Sequence, residues 1–249
     1  MNYKADVGVF GGSGFYEFLD NIKEIEIETP YGKPSDKISI GEYKNKKIAF
    51  LPRHGKEHTI PPHKIPYKAN IFAMKMLKVK CIISPCSCGS LNPNYKPGDF
   101  VVTDQFIDRT KGREDTFFDG PIVEHVSSAE PYDKKLRKIA LEAIKENSIR
   151  VHDKGTVVVI NGPRFSTKAE SKWFRNMGGD IINMTQYPES YLALEQSIPF
   201  VNIALITDYD SGLEGRDDIK PVTMDEVIKV FNQNVENVKK VIFKVIEKL

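Results

Sequence analysis

The sequence of 249 residues has no apolar run approaching the length of a membrane span, so a spanning helix is not expected. It has no internal repeat and no low-complexity linker, so nothing marks a boundary and one domain over residues 1–249 is expected. The opening MNYKADVGVFGG lacks the long apolar core and cleavage site of a signal segment, and a soluble cytoplasmic protein is expected. No charge sign dominates. The 36 Lys and Arg against 34 Asp and Glu leave +2, which gives no support for a nucleic acid or a membrane surface as partner. Lysine runs such as Lys44 to Lys47 read as solvated surface. Cysteine is scarce: Cys81, Cys86 and Cys88 fall within eight positions. An odd, crowded set argues against a disulfide framework, and a zinc site would need further ligands at suitable spacing. Reduced thiols in or near a buried strand are expected.

What is present is a series of apolar runs, each leading into a polar or glycine-rich cluster. VGVF leads into GGSG, KKIAFL into PRHG, VKCIIS into PCSCGS, GTVVVI into NGPRF, DIINM into TQYPE and FVNIALIT into DYD. Strands followed by such turns predict an α/β fold with a largely parallel sheet and function at the strand C-termini. Helical spacing fits Tyr67 to Leu77, Lys134 to Glu146, Lys168 to Met177, Glu189 to Ser197 and Met224 to Lys248, the last with Thr223 as N-cap.

The clusters have the chemistry to hold an anion at one end and a base at the other. Gly11, Gly12 and Gly14 let backbone amides turn toward an anion, and Ser13 adds a hydroxyl; a tight turn without ligand fits the same residues. Arg53 and His54 follow a strand-like run, and a guanidinium suits an oxyanion because its planar fork donates twice. Cys86, Ser87 and Thr185 stand at other strand ends and could complete a donor ring sized for phosphate. His54, His58 and His63 also admit a metal reading, but intervening prolines and the lack of a nearby carboxylate weigh against it. Asp208 and Asp210, at i and i+2, point to one side of an extended chain, where two carboxyls tend to share a proton. They suit the edge of a purine, or else cap a following turn. Phe165 follows a Gly-Pro-Arg turn and offers a stacking ring, Met184 can pack on a sugar, and Glu189 can cap its helix or reach ribose hydroxyls.

In this order the clusters resemble the trimeric purine nucleoside phosphorylase family, and within it the methylthioadenosine phosphorylase branch. The resemblance runs over nearly the whole chain, through GVFGGSGFYE, LPRHGKEHTIPPHKIPYKANI, GSLNPNYKPGDFVVTDQFIDRT, FFDGP, GPRFSTKAES, INMTQYPE and VTMDEV. It implies a single domain of nucleoside phosphorylase type, with a mixed, partly barrel-like central sheet flanked by helices. It implies a homotrimer and phosphorolysis of purine nucleosides, with inorganic phosphate as co-substrate and no metal or organic cofactor. It places phosphate contacts at Ser13, Arg53, His54, Ser87 and Thr185, with Cys86 beside them, and Phe165 and Met184 at base and ribose. Asp208 and Asp210 fall at the purine edge, with Thr207 alongside, and His125 of a neighbouring subunit at the nucleoside 5′ end. PCSCGS departs from the branch by setting Cys86 where a hydroxyl residue is usual, and TQYPE adds the bulk of Tyr187. A 6-oxopurine phosphorylase and a non-catalytic nucleoside sensor are the competing expectations. ITDYD speaks against the first, and the retained donor set against the second.

Overall fold

The computed structural model describes residues 3–11, 20–213, 216 and 218–249. The apolar runs form strands β1 (Val7–Gly11), β2 (Asp20–Ile25), β3 (Ile38–Tyr43), β4 (Lys46–Pro52), β5 (Cys81–Ser90), β6 (Phe100–Val102), β7 (Gln105–Arg109), β8 (Val151–His152), β9 (Thr156–Ile160), β10 (Ile181–Asn183) and β11 (Phe200–Asp208). Between them lie α1 (Tyr67–Met76), α2 (Lys134–Glu146), α3 (Lys168–Asn176) and α4 (Gln186–Glu195), and α5 (Met224–Lys248) follows β11. The order β2-β3-β4-β1-β5-β10-β9-β7 makes one sheet, with β11 paired to β5, β6 to β11 and β8 to β6. It is mixed, with β2, β3 and β4 successively antiparallel, β10 antiparallel to β5, and β6 antiparallel to β11. The described strands do not close on themselves.

Alternation along the central strands sorts side chains to two faces. Val7, Val9, Ile48, Phe50, Ile83, Val201 and Ile203 pack with Ala140 of α2 and Val241, Ile242 and Val245 of α5. Phe10, Ala49, Leu51 and Ile82 face the other way, onto Ile71 and Met74 of α1 and Leu192 and Ala193 of α4.

The strand β5 corrects the expected turn after VKCIIS, because it runs on through Pro85, Cys86 and Ser87. β11 pairs with it in parallel along one side from Ile82 to Gly89. On the other side β1 pairs only with residues 81 to 83, and β10 joins only at Gly89 and Ser90. The missing N–H of Pro85 is tolerated because no described strand pairs with it on that side. The sheet therefore splits there. β1 and β4 end at the split from one direction, and β10, with its parallel neighbour β9, from the other. Two helices coincide with the expected spans, α2 and α5. α1 and α3 end one residue earlier than expected, and α4 begins three residues early, at Gln186, with a non-helical Tyr187 inside it. The Pro188 ring crowds the residue before it and disfavours helical backbone angles at Tyr187.

Ile203, 1% exposed on β11, lies among side chains of the first core face. Ile203→Ala is expected to lower unfolding free energy by about 2–5 kcal/mol, read as a lower denaturant midpoint at unchanged slope.

Candidate active site

Arg53 is the first residue after β4, and its side chain enters the split in the sheet. It is 4% exposed. Nε donates to Glu189 Oε2 at 2.9 Å and Nη2 to Glu189 Oε1 at 2.8 Å, a two-pronged pair. Nη2 also donates to Ser84 Oγ at 2.6 Å, and Nη1 to the Pro85 carbonyl at 2.9 Å. Burial opposes the guanidinium's charge, and the Glu189 carboxylate more than offsets it, so Arg53 stays cationic. The pair as a whole is neutral, and Nη1 keeps one N–H beyond these bonds. Glu189, read from the sequence as a helix cap or ribose contact, is instead 1% exposed and spent on Arg53 and on the Ser84 hydroxyl, which donates to it at 2.6 Å. Gln186 Nε2 also donates to Ser84 Oγ, at 3.1 Å.

His54 faces the Ile60 carbonyl through Nδ1 at 2.9 Å, so Nδ1 carries the hydrogen and Nε2 is left as an acceptor. Burial pushes its pKa down to about 4, with Arg53 and His58 adding to the effect, and the ring is neutral near pH 7. His58 stacks on it with ring centres 4.5 Å apart. Among the described residues no group of three or more His, Cys, Asp or Glu is placed to hold a metal ion.

Cys86 lies on β5 opposite Ala204 of β11. Its sulfur accepts from Asn183 Nδ2 at 3.3 Å and Asn202 Nδ2 at 3.2 Å, and burial raises the thiol's pKa. A neutral thiol so engaged has only its S–H to offer an anion. Ser87 is half-buried beside it. Thr185 is buried at the N-cap position of α4 and makes no capping bond, so its hydroxyl is not spent on the helix. Met184, just before it, packs against the turn after β9; a Cβ on Gly162, which has φ +65°, would lie 2.5 Å from the Met184 sulfur.

The second group lies at the end of β11. Asp208 Oδ1 accepts from the Asp210 amide at 2.7 Å, and Oδ2 lies 2.7 Å from Thr207 Oγ1. A Cβ on Gly89 would stand 2.8 Å from Asp208 Oδ1, so the carboxyl lies flat on β5 only because residue 89 has no side chain. Burial raises the pKa of both Asp208 and Asp210. The Asp210 carboxyl faces Ser166 and Ser171, which restrain its rise, yet among the described residues its Oδ2 makes no bond of good geometry. Ser211 Oγ donates to the Ser166 carbonyl at 2.5 Å, which ties the turn carrying half-buried Phe165 to this loop.

The structure thus gathers Arg53, Cys86 and Ser87 at the split and Thr207, Asp208 and Asp210 at the end of β11. His54, Thr185, Met184 and Phe165 stand on the segments that follow neighbouring strands. His125 is exposed and makes no contact with the others among the described residues. Ser13 lies outside the described residues. Sequence reasoning passed over Ser84, Gln186, Asn202 and Arg113. Only Ser84, in an apolar run that ends in proline, carried a local signal.

Residues 6–247 match the model of the Phosphorylase superfamily. The chain is 52% identical to an S-methyl-5′-thioadenosine phosphorylase of Thermofilum pendens over 241 residues, covering 96% of this chain and 90% of that one. The crystal structure of a methylthioadenosine phosphorylase from an antarctic soil metagenomic library is 42% identical, with a TM-score of 0.92 over 99% of this chain and 86% of that one. A variant of the adenosine/methylthioadenosine phosphorylase of Schistosoma mansoni, in complex with methylthioadenosine, is 36% identical, with a TM-score of 0.90 over 98% and 91%. This chain belongs to the phosphorylase superfamily.

The neutral His54 gives a pH signature. Its pKa is about 4 when folded, against 6.5 for the free side chain. Above pH 6.5 neither state holds the proton. Between 6.5 and about 4 the unfolded chain binds it and the folded one does not, so stability falls as pH drops. Denaturant midpoints across this window should fall less steeply in His54→Gln than in the wild type; parallel curves would show that His54 titrates normally.

Proposed function

We propose that this chain catalyses phosphorolysis of 5′-methylthioadenosine, giving adenine and 5-methylthioribose 1-phosphate, with adenosine as a further substrate. The observation that carries this reading is the Asp208 carboxyl, packed on Gly89 one strand away from the split that holds Arg53. Burial raises its pKa, which favours the protonated form that a purine N7 requires, and the split has the donors an anion requires. The names of the relatives support the same substrate. Phosphate lies against the Arg53 Nη1 edge, the Ser87 and Thr185 hydroxyls and the glycine-rich segment of sequence that carries Ser13. Its negative charge stabilises the oxocarbenium-like ribose as the glycosidic bond lengthens. Asp208 gives its proton to N7 so that adenine leaves neutral, and Asp210 accepts from the 6-amino group. Met184 and Phe165 pack on ribose and base. No metal or organic cofactor takes part, and inorganic phosphate is the co-substrate.

The working form is a homotrimer in which His125 reaches a neighbour's nucleoside. Its exposure and lack of described partners on its own chain support that role. Sedimentation is expected to give a trimer, and a fully active monomer would contradict the arrangement.

The kinetic test is kcat/KM for methylthioadenosine, adenosine and inosine, with and without phosphate. Base release should require phosphate and favour the 6-amino substrates. In Asp208→Asn the amide can donate to a purine O6 but cannot supply the N7 proton. Activity on adenosine should fall about a hundredfold or more, and the adenosine-to-inosine ratio should shift toward inosine. An unchanged ratio in both Asp208→Asn and Asp210→Asn would make the two aspartates turn residues only.

A further inference from the structure

Arg113, in the segment between β7 and α2, is half-buried and makes no ion pair among the described residues. Its hydrogen bonds all go to uncharged oxygens, with the Asp108 and Glu189 carboxylates acting on it only through space. Nη2 donates to the carbonyls of Met184 at 2.8 Å and Asn161 at 3.0 Å, with Ile160 further off at 3.4 Å. Nη1 donates to the Tyr67 hydroxyl at 3.2 Å and to the Tyr187 carbonyl. These carbonyls belong to the segments leaving β9 and β10, which come to the split from the same direction.

We propose that Arg113 is a positioning residue that fixes the peptide planes of Asn161–Gly162 and Met184–Thr185, and through them the Thr185 and Met184 contacts to substrate. The inference rests on the reading of Thr185 as a phosphate contact and Met184 as a ribose contact. Both peptides are trans, so a carbonyl aimed at Arg113 sends the N–H of the next residue the opposite way. The amides of Gly162 and Thr185 therefore point away from the guanidinium, and neither has an acceptor among the described residues. A charged donor on the carbonyl also polarises the peptide and strengthens its N–H as a donor. One rigid fork ties together two segments that the sheet pairs only as far as Val159 and Asn183. Gly162 and Met184 already meet at van der Waals limits, so a shift of one moves the other. Lysine, a single point on a flexible stem, cannot hold the carbonyls of both segments in fixed directions.

The test compares steady-state kinetics of the full-length protein in four variants. Arg113→Lys is expected to raise KM for phosphate or lower kcat by about tenfold to a hundredfold, the scale of a small misplacement at a reacting centre. Tyr67→Phe keeps the arginine but removes one oxygen it donates to, and should move the same constants the same way by about threefold. It is read even if Arg113→Lys does not fold. Thr116→Ala loosens the same segment elsewhere, where the Thr116 hydroxyl meets Glu195 at 2.6 Å, and should leave both constants unchanged. Thr185→Val reports on the underlying reading and should raise KM for phosphate. Wild-type constants in Tyr67→Phe and in a folded Arg113→Lys, beside an impaired Thr185→Val, would overturn the positioning role alone. An equal effect in Thr116→Ala would also overturn it, by showing that any loosening of the segment suffices. An unimpaired Thr185→Val would overturn the reading of the site and this inference with it.

Discussion

Along residues 84 to 88 one side of β5 pairs with no described strand, and the Arg53–Glu189 pair meets β5 there. A buried strand edge leaves carbonyls without donors, which is costly in a dry interior. Arg53 supplies Pro85 with that donor and takes its own counter-charge from Glu189 on α4. Ser84 closes the arrangement, accepting from Arg53 and Gln186 and donating to Glu189. Burying two charges is offset only when such geometry is complete, and removing one partner of a buried pair typically costs about 3–5 kcal/mol. Strand ends and α4 therefore stand or fall together. A substitution of Arg53 alone would read folding as well as ligand binding, because it strands the Glu189 carboxylate.

The same pairing decides the kind of anion site available. Arg53 and Glu189 sum to zero, His54 is neutral and the Cys86 thiol is protonated. What remains for an anion is one arginine N–H, hydroxyls and backbone amides. Such dipoles are fixed before an anion arrives and need no reorganisation to receive it. A site of dipoles also holds an anion less tightly than an uncompensated cation would.

The sequence was legible where structure is local. α2 and α5 show helical spacing over several turns, and the RHG cluster, the TQYPE segment and DYD each mark a strand end. Pro85 misled because proline usually ends a strand, and β5 passes through it where no described strand pairs with it on one side. Glu189 was seen but misassigned, since its partner lies 136 residues away in sequence. Arg113 carried no signal. Its partners are backbone carbonyls, which any residue supplies, so nothing in the side-chain pattern of Asn161, Met184 or Tyr187 points back to it. Long-range pairing, not residue type, made these the residues that matter.

The Asp208 carboxyl depends on a similar economy of donors. Thr207 Oγ1 lies 2.7 Å from Asp208 Oδ2 and 3.2 Å from the Cys88 carbonyl, and a hydroxyl has a single hydrogen to share between them. When Asp208 is ionised, Thr207 donates to it. When Asp208 is protonated on Oδ2, the acid donates to Thr207, whose hydrogen turns to Cys88. Either state keeps Oδ2 paired, so rotation of one hydroxyl lets the proton leave and return without exposing an unpaired buried oxygen. The Asp210 amide on Oδ1 holds the carboxyl still through both states. Beyond that amide the chain turns sharply, because Asp210 adopts φ +51°, a left-handed conformation that aspartate tolerates better than most residues. The i, i+2 spacing of the two aspartates thus reflects a backbone requirement as much as a chemical one. A carboxylate reaches the N–H two residues on in an Asx turn, and the dihedrals of Asp208 and Tyr209 bring that N–H onto Oδ1.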